Sequence, residues 1–164
     1  MFESANSIGE VKALFAREVQ VHIQASCPEV FNYLVDISRH CEWAANPLEI
    51  RHVSGPTAGV GATFESVARR TARVAGTFTG RIHIVAVEPP HRFAYEVEDN
   101  TGRYRWTMTI TPEGHGTKLT QRMAKLSGPW LINLFQPWLI WPLIGRPQVK
   151  GGLDRIKICL ERTK

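Results

Sequence analysis

RFAYEVEDNTGRYRWTMTI, residues 92–110, contains the alternation of side chains that decides the fold. A loop at DNTG (99–102) would pair Tyr95 with Trp106 and would bring apolar side chains together on one face of a two-stranded ribbon. The other face then brings acidic residues opposite basic ones: Glu96 with Arg105 and Glu98 with Arg103. Because both faces support the same register, the stretch predicts an antiparallel hairpin with one buried side.

A second loop, EGHG (113–116), extends the ribbon to a third strand with the same inner face. The pairs expected on that face are Ile110 with Leu119, Met108 with Gln121 and Trp106 with Met123. Upstream, residues 17–25 alternate apolar and polar side chains and predict another half-buried strand. At the end of the chain, QVKGGLDRIKICLERTK (148–164) has apolar residues at helical spacing, which predicts an amphipathic helix: Val149, Leu153, Ile156 and Leu160.

Two short helices are predicted after the first strand. Ser26 and Glu29 have the spacing of a capping box, and Pro28 lies in the first turn, where a missing N–H costs nothing. ISRHCEWAANP (37–47) forms a second helical piece that ends before its proline. A further short helix is expected at residues 7–16, as an N-terminal extension (1–16) to a single domain at 17–164. The order of elements predicts an α+β domain whose sheet wraps the terminal helix.

Composition restricts the class of protein and its partners. A chain of 164 residues is long enough for one sizeable core, and a net charge of +5 permits attraction to anionic partners. Nucleic acid is disfavoured, since the aromatic side chains face away from the arginines. The cysteines are odd in number and are expected to be free thiols in a cytoplasmic protein: Cys27, Cys41 and Cys159. The six histidines lack metal-ligand spacing, so neither a metal nor a cofactor is predicted.

Five stretches follow one another along the chain: IQASCPEVFNYLVDISRHCEW (23–43), GVGATFE (59–65), VEPPHRFAYEVE (87–98), EGHGTKLTQRM (113–123) and GGLDRIKICLE (151–161). In this order they resemble the START-like, helix-grip superfamily (SRPBCC), which includes Bet v 1-type proteins and the polyketide cyclase/dehydrase and lipid-transport group. The resemblance covers about residues 17–162. It implies a seven-stranded antiparallel sheet around a long C-terminal helix, with two short helices after the first strand and a hydrophobic cavity inside.

The inner face of the predicted sheet is mostly apolar and carries a few polar side chains, as a ligand pocket does. The polar ones are Tyr95, Tyr104 and Gln121, joined by His52 and Ser66 from strands whose register is less defined. The candidates for catalysis are His52, Tyr95 and Tyr104, because imidazole and phenol groups can transfer protons. The predicted ligand-binding residues are Trp43, Tyr95, Tyr104, Trp106, Met108, Gln121, Met123, Trp130, Leu134, Trp138 and Leu153.

Two functions remain open. The first is binding or transport of a hydrophobic small molecule such as a lipid, a polyketide or an isoprenoid. The alternative is a polyketide cyclase or dehydratase that moves protons with the cavity tyrosines and histidine. The sequence contains no convincing acid–base pair, which favours the binding protein.

GPWLINLFQPWLIWPLIGRP (128–147) contains an uncharged run at residues 130–145, here named the flap segment. As a helix it would be about 24 Å long, short of the roughly 30 Å of a bilayer core. The prolines predict one helical piece ending near Gln136, a second ending near Pro142, and the long helix after Pro147. The run is either covered core or an apolar flap that contacts a membrane surface or a second copy of the chain, through Trp130, Leu134, Phe135, Trp138 and Trp141. Trp43 is expected near the cavity mouth.

Overall fold

The computed structural model of the chain describes residues 12–44, 48–69 and 77–162. The strands are β1 (Phe15–Ile23), β2 (Leu48–Ser54), β3 (Thr63–Arg69), β4 (Thr77–Glu88), β5 (Arg92–Asp99), β6 (Gly102–Glu113) and β7 (Gly116–Ser127). The helices are α1 (Cys27–Val35), a 3-10 turn (Ile37–Arg39), α2 (His40–Trp43), α3 (Trp130–Phe135), a π-helix (Gln136–Gly145) and α4 (Arg146–Glu161). Among these residues, no helix combines the length and the apolar character needed to cross a membrane.

The seven strands form one sheet in the order β1-β7-β6-β5-β4-β3-β2, and each neighbouring pair is antiparallel. Consecutive strands from β2 to β7 are neighbours in the sheet, while β1 pairs with β7 at the far edge. The two short helices after β1 and the long helix α4 complete the arrangement. The predicted helix-grip fold is therefore confirmed.

Both predicted hairpin registers are confirmed. Tyr95 pairs with Trp106 across β5 and β6, and Met108 pairs with Gln121 across β6 and β7. The first turn is tighter than expected, because pairing continues to Asp99 opposite Gly102. The Asp99 Oδ1 accepts hydrogen bonds from the backbone N–H of Thr101 at 2.7 Å and from its hydroxyl at 2.6 Å. This local bond stabilises a two-residue loop.

The core lies between the inner face of the sheet and helices α1 and α4. The side chains that are 0–1% exposed come from all of these elements: Ile23, Val30, Leu34, Ile82, Phe93, Met108, Ile110, Leu119, Leu153 and Ile156. Burial of each such side chain stabilises the fold by about 1.5–3 kcal/mol. The predicted capping box at the start of α1 is present, since the Ser26 backbone N–H donates to Glu29 Oε2 at 2.7 Å and the Glu29 N–H donates to Ser26 Oγ.

The N-terminal helix expected at residues 7–16 is wrong where the structure tests it. Residues 12–14 are not helical, and β1 begins at Phe15 instead of Arg17. The Leu14 N–H donates to the Lys125 carbonyl at 2.8 Å, so pairing with β7 uses the backbone groups that a helix would need. Residues 7–11 lie outside the described residues.

The flap segment differs from its prediction in two places. Helix α3 ends at Phe135, close to the expected end, but the π-helix continues through Pro142, and α4 already begins at Arg146. The Arg146 N–H donates to the carbonyl of Trp141, five residues earlier. In an α-helix the ring of a proline clashes with the carbonyl four residues before it, and the wider π-helical turn relieves that clash.

Candidate functional site

The alternation along β5, β6 and β7 turns a set of polar and apolar side chains toward α4. Tyr95 and Gln121 are buried there, together with Met108 and Met123. Tyr104 and Trp106 have the same parity and are half-buried, and they pack against the core. Leu153 reaches the same space from α4 and is fully buried. These predicted ligand-binding residues therefore lie together in the interior between sheet and helix.

Ser66 and His52 were expected on this inner face as well. Ser66 is buried, and its hydroxyl donates to the carbonyl of Gly80 at 3.1 Å. His52 lies opposite Phe64, as its parity requires, but β2 is the edge strand, so its ring remains exposed. Its Nε2 is 3.1 Å from the carbonyl oxygen of Pro56. The expectation that His52 points into an enclosed site is wrong, because nothing beyond the edge strand covers it in the described residues.

His40 occupies the interior position that was expected for His52. Its ring stacks on Trp43 with the centroids 3.9 Å apart, and it meets the edge of the Tyr95 ring at 5.7 Å. The His40 Nδ1 is buried and has no hydrogen-bond partner among the described residues. Helical spacing in the sequence could not have identified it, since α1 ends at Val35 and His40 begins α2 after the 3-10 turn.

Burial sets the protonation of both rings. It lowers the pKa of His40 to about 4, and it raises the pKa of the Tyr95 phenol. At neutral pH His40 is therefore uncharged and Tyr95 is protonated. A group that transfers protons efficiently needs a pKa close to the working pH. The pair is thus suited to hydrogen bonding and poorly matched to acid–base catalysis near pH 7.

A buried lysine is the second interior residue that the sequence analysis missed. Lys125 is 0% exposed on the inner face of β7, where it pairs with Tyr104 of β6. Side chains two residues apart on a strand share a face. Lys125 therefore lies on the same inner face as Met123, the partner of Trp106. A lysine on that face was overlooked because this residue type is almost never fully buried.

The outer face of the sheet carries the charges, as the pairing predicted. Arg103 and Arg105 bind the Glu96 carboxylate at 2.5 and 2.7 Å. Arg103 therefore bonds diagonally to Glu96, although its register partner is Glu98. Glu96 is only 3% exposed because the two arginines cover it. This cluster stabilises the outer face and lies away from the interior. In the described part of the chain, no three His, Cys, Asp or Glu residues are grouped as metal ligands.

A small cavity of about 110 Å³ opens beside the interior. The 3-10 turn and residues 57–59 form one side, and Phe64 and Ile84 form the inner wall. Sites for drug-sized molecules have volumes of about 300–1,000 Å³, so a larger ligand requires some of these walls to move. A concavity of about 600 Å³ at the start of β1 is an open surface groove, bounded by Lys12, Arg17 and Arg122, and does not reach the core.

The flap segment does not contribute to the interior as expected. Trp130, Leu134 and Trp138 were predicted to bind ligand, but they are 71%, 58% and 84% exposed. Trp141 was predicted to belong to the exposed flap, but it is buried against the Phe15 ring at 6.1 Å. Helix α3 and the π-helix turn most of their large apolar side chains to solvent. Trp141 lies in the π-helix, whose wider turn changes which side chains share a face, whereas Trp130 and Leu134 lie in α3, which has no buried residues.

Residues 16–160 match a family described as polyketide cyclase / dehydrase and lipid transport. The chain belongs to this family. The match spans β1 to α4 and therefore contains the whole interior. A search among curated proteins gives no match.

Solved structures share the fold of this family member at low sequence identity. The protein CV1439 from Chromobacterium violaceum is 15% identical, with a TM-score of 0.69 over 89% of this chain and 97% of that one. A protein from Rhodobacter sphaeroides is 17% identical, with a TM-score of 0.70 over 96% and 99%. The di-domain ARO/CYC StfQ from the steffimycin biosynthetic pathway is 14% identical, with a TM-score of 0.69 over 90% of this chain and 51% of StfQ. At these identities the likeness concerns the fold alone.

Proposed function

We propose that this chain binds a hydrophobic small molecule, such as a lipid, a polyketide or an isoprenoid, between its sheet and α4. The observation that carries the proposal is an apolar interior with inward polar groups whose hydrogen bonds are incomplete. The His40 Nδ1 and the Lys125 Nζ are buried without partners in the described residues. Burying a polar group without a hydrogen bond costs free energy, and a bound ligand with polar groups would recover that cost.

The protonation states favour binding over catalysis. A neutral His40 with a pKa of about 4 is a weak proton acceptor at pH 7, and burial keeps the Tyr95 phenol protonated. Each group can still form a hydrogen bond with a bound molecule. A carrier or binding protein needs such hydrogen bonds to select its ligand, and it does not need proton transfer.

The binding proposal is tested with hexadecanol, a neutral ligand with a long apolar chain. Trp43 is 4% exposed and stacks on His40, so ligand entering the interior is expected to change its fluorescence. The expected result is a saturable change at one ligand per chain, largely lost in Trp43→Phe. Native mass spectrometry of Trp43→Phe provides the control, because the variant should still retain one ligand. If no one-to-one complex forms in the wild type, the proposal is wrong.

The enzymatic alternative rests on one contact. The ring of His40 meets the edge of Tyr95, which brings a base and a phenol to the same part of the interior. Incubation with a poly-β-ketone thioester mimic, followed by product analysis, separates the two functions. A cyclised product that depends on both side chains would support the enzyme. Binding of the mimic without turnover is the outcome expected here.

We also propose that the flap segment docks on an anionic membrane surface, where ligand is exchanged. Eight of its large apolar side chains are at least 47% exposed: Trp130, Leu131, Leu134, Phe135, Trp138, Leu139, Leu143 and Ile144. Contiguous exposed apolar surface of this kind is typical of an interaction site. Tryptophan is suited to the lipid–water interface, because its indole has an apolar body and a polar N–H.

Charge favours a membrane over a second copy of the chain. From residue 114 to residue 153 the sequence contains no acidic residue and five basic ones: Lys118, Arg122, Lys125, Arg146 and Lys150. Arg146 is exposed directly after the flap segment, and it is followed by Lys150, whose ammonium pairs with Asp154 at 2.9 Å. A symmetric dimer through this surface would bring like charges together, whereas anionic lipid headgroups would neutralise them.

Vesicle co-sedimentation tests the docking. Vesicles containing phosphatidylserine should bind the wild type more than vesicles of phosphatidylcholine alone. The double variant Trp130→Ser/Trp138→Ser should lose this binding and keep its melting temperature. The control is Val53→Ser/Val60→Ser, which removes apolar side chains that are 53% and 59% exposed elsewhere. A wild type that forms dimers and ignores both vesicles would contradict the membrane proposal.

A further inference from the structure

Lys125 is a buried cation on a surface that is otherwise apolar. It lies in β7 between Phe15 of β1 and Tyr104 of β6. Its side chain is 0% exposed, and its Nζ lies 5.3 Å from the centre of the Tyr104 ring. No residue in the described part of the chain accepts a hydrogen bond from this ammonium. A cation–π contact alone leaves its three N–H donors unsatisfied.

The nearest acidic group does not pair with Lys125. The Asp99 Oδ1 is occupied by the backbone N–H and the hydroxyl of Thr101. Burial lowers the pKa of Lys125, and the Asp99 charge only partly opposes this effect. The ammonium is thus held where its charged form is disfavoured and where no ion pair compensates. Such an arrangement costs stability in the empty protein and is typical of a site that receives an anion.

The chain beside Lys125 contains a glycine that accepts a hydrogen bond from an amide side chain. A Cβ atom at Gly128 would lie 2.6 Å from the backbone oxygen of Thr101, so a glycine is needed there, and the same Cβ would lie 2.9 Å from Lys125 Cε. Asn133 of α3 donates from its Nδ2 to the Gly128 carbonyl at 3.0 Å. One turn later, Gln136 is 4% exposed. The amide oxygens of Asn133 and Gln136 are both buried without partners in the described residues.

A ligand at this end of the interior could satisfy the Lys125 ammonium. A carboxylate would accept hydrogen bonds from the Lys125 ammonium. The terminal amide of Gln136 contains both a donor and an acceptor, and rotation presents either one to the ligand. The apolar remainder of the molecule would follow the inner face past Trp106, Met108 and Met123.

We infer that Lys125 anchors the carboxylate of an amphipathic ligand whose apolar chain lies between the sheet and α4. This inference rests on the proposed function and specifies its ligand class as a long-chain carboxylic acid. The flap segment is tied to this end of the interior where Asn133 donates to the Gly128 carbonyl. Its displacement at a membrane surface would therefore open the anchor directly to a fatty acid in the bilayer.

The test compares hexadecanoate with hexadecanol, which has the same chain and no charge. The wild type should bind hexadecanoate about ten- to a hundredfold more tightly, as expected for a charge-assisted hydrogen bond. Lys125→Met should remove this preference and leave hexadecanol affinity within a factor of about two or three. It should also melt at an equal or higher temperature, because an unpaired buried charge has been replaced by an apolar side chain.

The matched control is Lys118→Met, on the outer face of the same strand, where the lysine pairs with Glu113 at 3.5 Å. This variant should keep the wild-type preference. If Lys125→Met does not fold, Lys125→Gln supplies the same comparison. The inference is overturned if the Lys125→Met variant still prefers hexadecanoate. It is also overturned if the Lys118→Met variant loses the preference to the same extent. Binding of hexadecanol with no preference in the wild type also overturns it and leaves the proposed function standing. Failure of both ligands to bind overturns the two together.

Discussion

Helix α4 and the flap segment are adjacent in the chain and have opposite distributions of polarity. In α4 the buried residues are Val149, Leu153 and Ile156, while Lys150 and Asp154 face solvent and pair at 2.9 Å. In the flap segment the most exposed residue is a tryptophan, and a glutamine is among the buried ones. The difference teaches that α4 gains stability by removing its apolar face from water, whereas the flap segment leaves its apolar side chains available to the membrane surface that we propose.

The physical basis of this contrast is the cost of each arrangement. Moving apolar surface out of water stabilises a fold by about 25 cal/mol per Å². The buried face of α4 contributes this stabilisation. The flap segment lacks much of this stabilisation, because Trp130 and Trp138 remain exposed to water. It also buries amide oxygens that have no partners in the described residues. A segment with this balance opens more readily than the core, which suits an entrance to the interior.

The largest difference between the two segments should appear when one large side chain in each is replaced by alanine. Leu153→Ala removes a fully buried side chain from α4 and should lower the free energy of unfolding by about 2–5 kcal/mol. Trp138→Ala removes a larger side chain that is 84% exposed and should change it by less than about 0.5 kcal/mol. Urea denaturation of both variants measures the difference. Equal losses would show that the flap segment is core and would end the comparison.

An intermediate effect should appear on acidification, through the histidine at the α4 side of the interior. His40 stacks on Trp43, whose carbonyl lies 3.3 Å from the Cβ position of Gly152 in α4. Because burial lowers the pKa of His40 from 6.5 to about 4, the unfolded chain takes up this proton first. The stability present above pH 6.5 is therefore lost as the pH falls toward 4, by about 1–2 kcal/mol for a half-buried ring.

Between pH 7 and pH 4, the variant His40→Phe should lose about 1–2 kcal/mol less of its free energy of unfolding than the wild type does. The comparison uses urea denaturation at each pH. Trp43→Phe serves as the control, since it removes the stacking partner without removing the titrating group. It should lower stability at every pH and keep the wild-type slope. Parallel pH profiles for wild type and His40→Phe would refute this role of burial.

The smallest effect should distinguish the two faces of α4 itself. Gly151→Ala adds a methyl group where no atom lies within 4 Å, and the gain in helix propensity should stabilise the protein by about 0.5–1 kcal/mol. Gly152→Ala places its methyl group against the backbone of Trp43, where the contact offsets that gain. Thermal unfolding of the pair measures the difference. An equal gain at both positions would show that α2 and α4 are loosely packed.

Much of the fold could be predicted because its signals are local and repeat. The alternation in β5, β6 and β7 determined the register, and the spacing of apolar residues in α4 determined its buried face. The candidate site was predicted less well. Tyr95, Gln121 and Met108 were located correctly from parity, but His52 was chosen over His40 because parity does not reveal that β2 is an edge strand.

By itself, the amino-acid sequence determined the α+β class, the hairpin registers and the inner face, since these follow from periods of two and of about 3.6 residues. The tertiary structure alone decided which polar groups are buried without partners and which apolar groups remain exposed. Lys125 is 0% exposed where its side chain meets the Tyr104 ring of β6 and Gly128 after the end of β7. Burial of this kind depends on packing between distant segments, and no local pattern in the sequence encodes it.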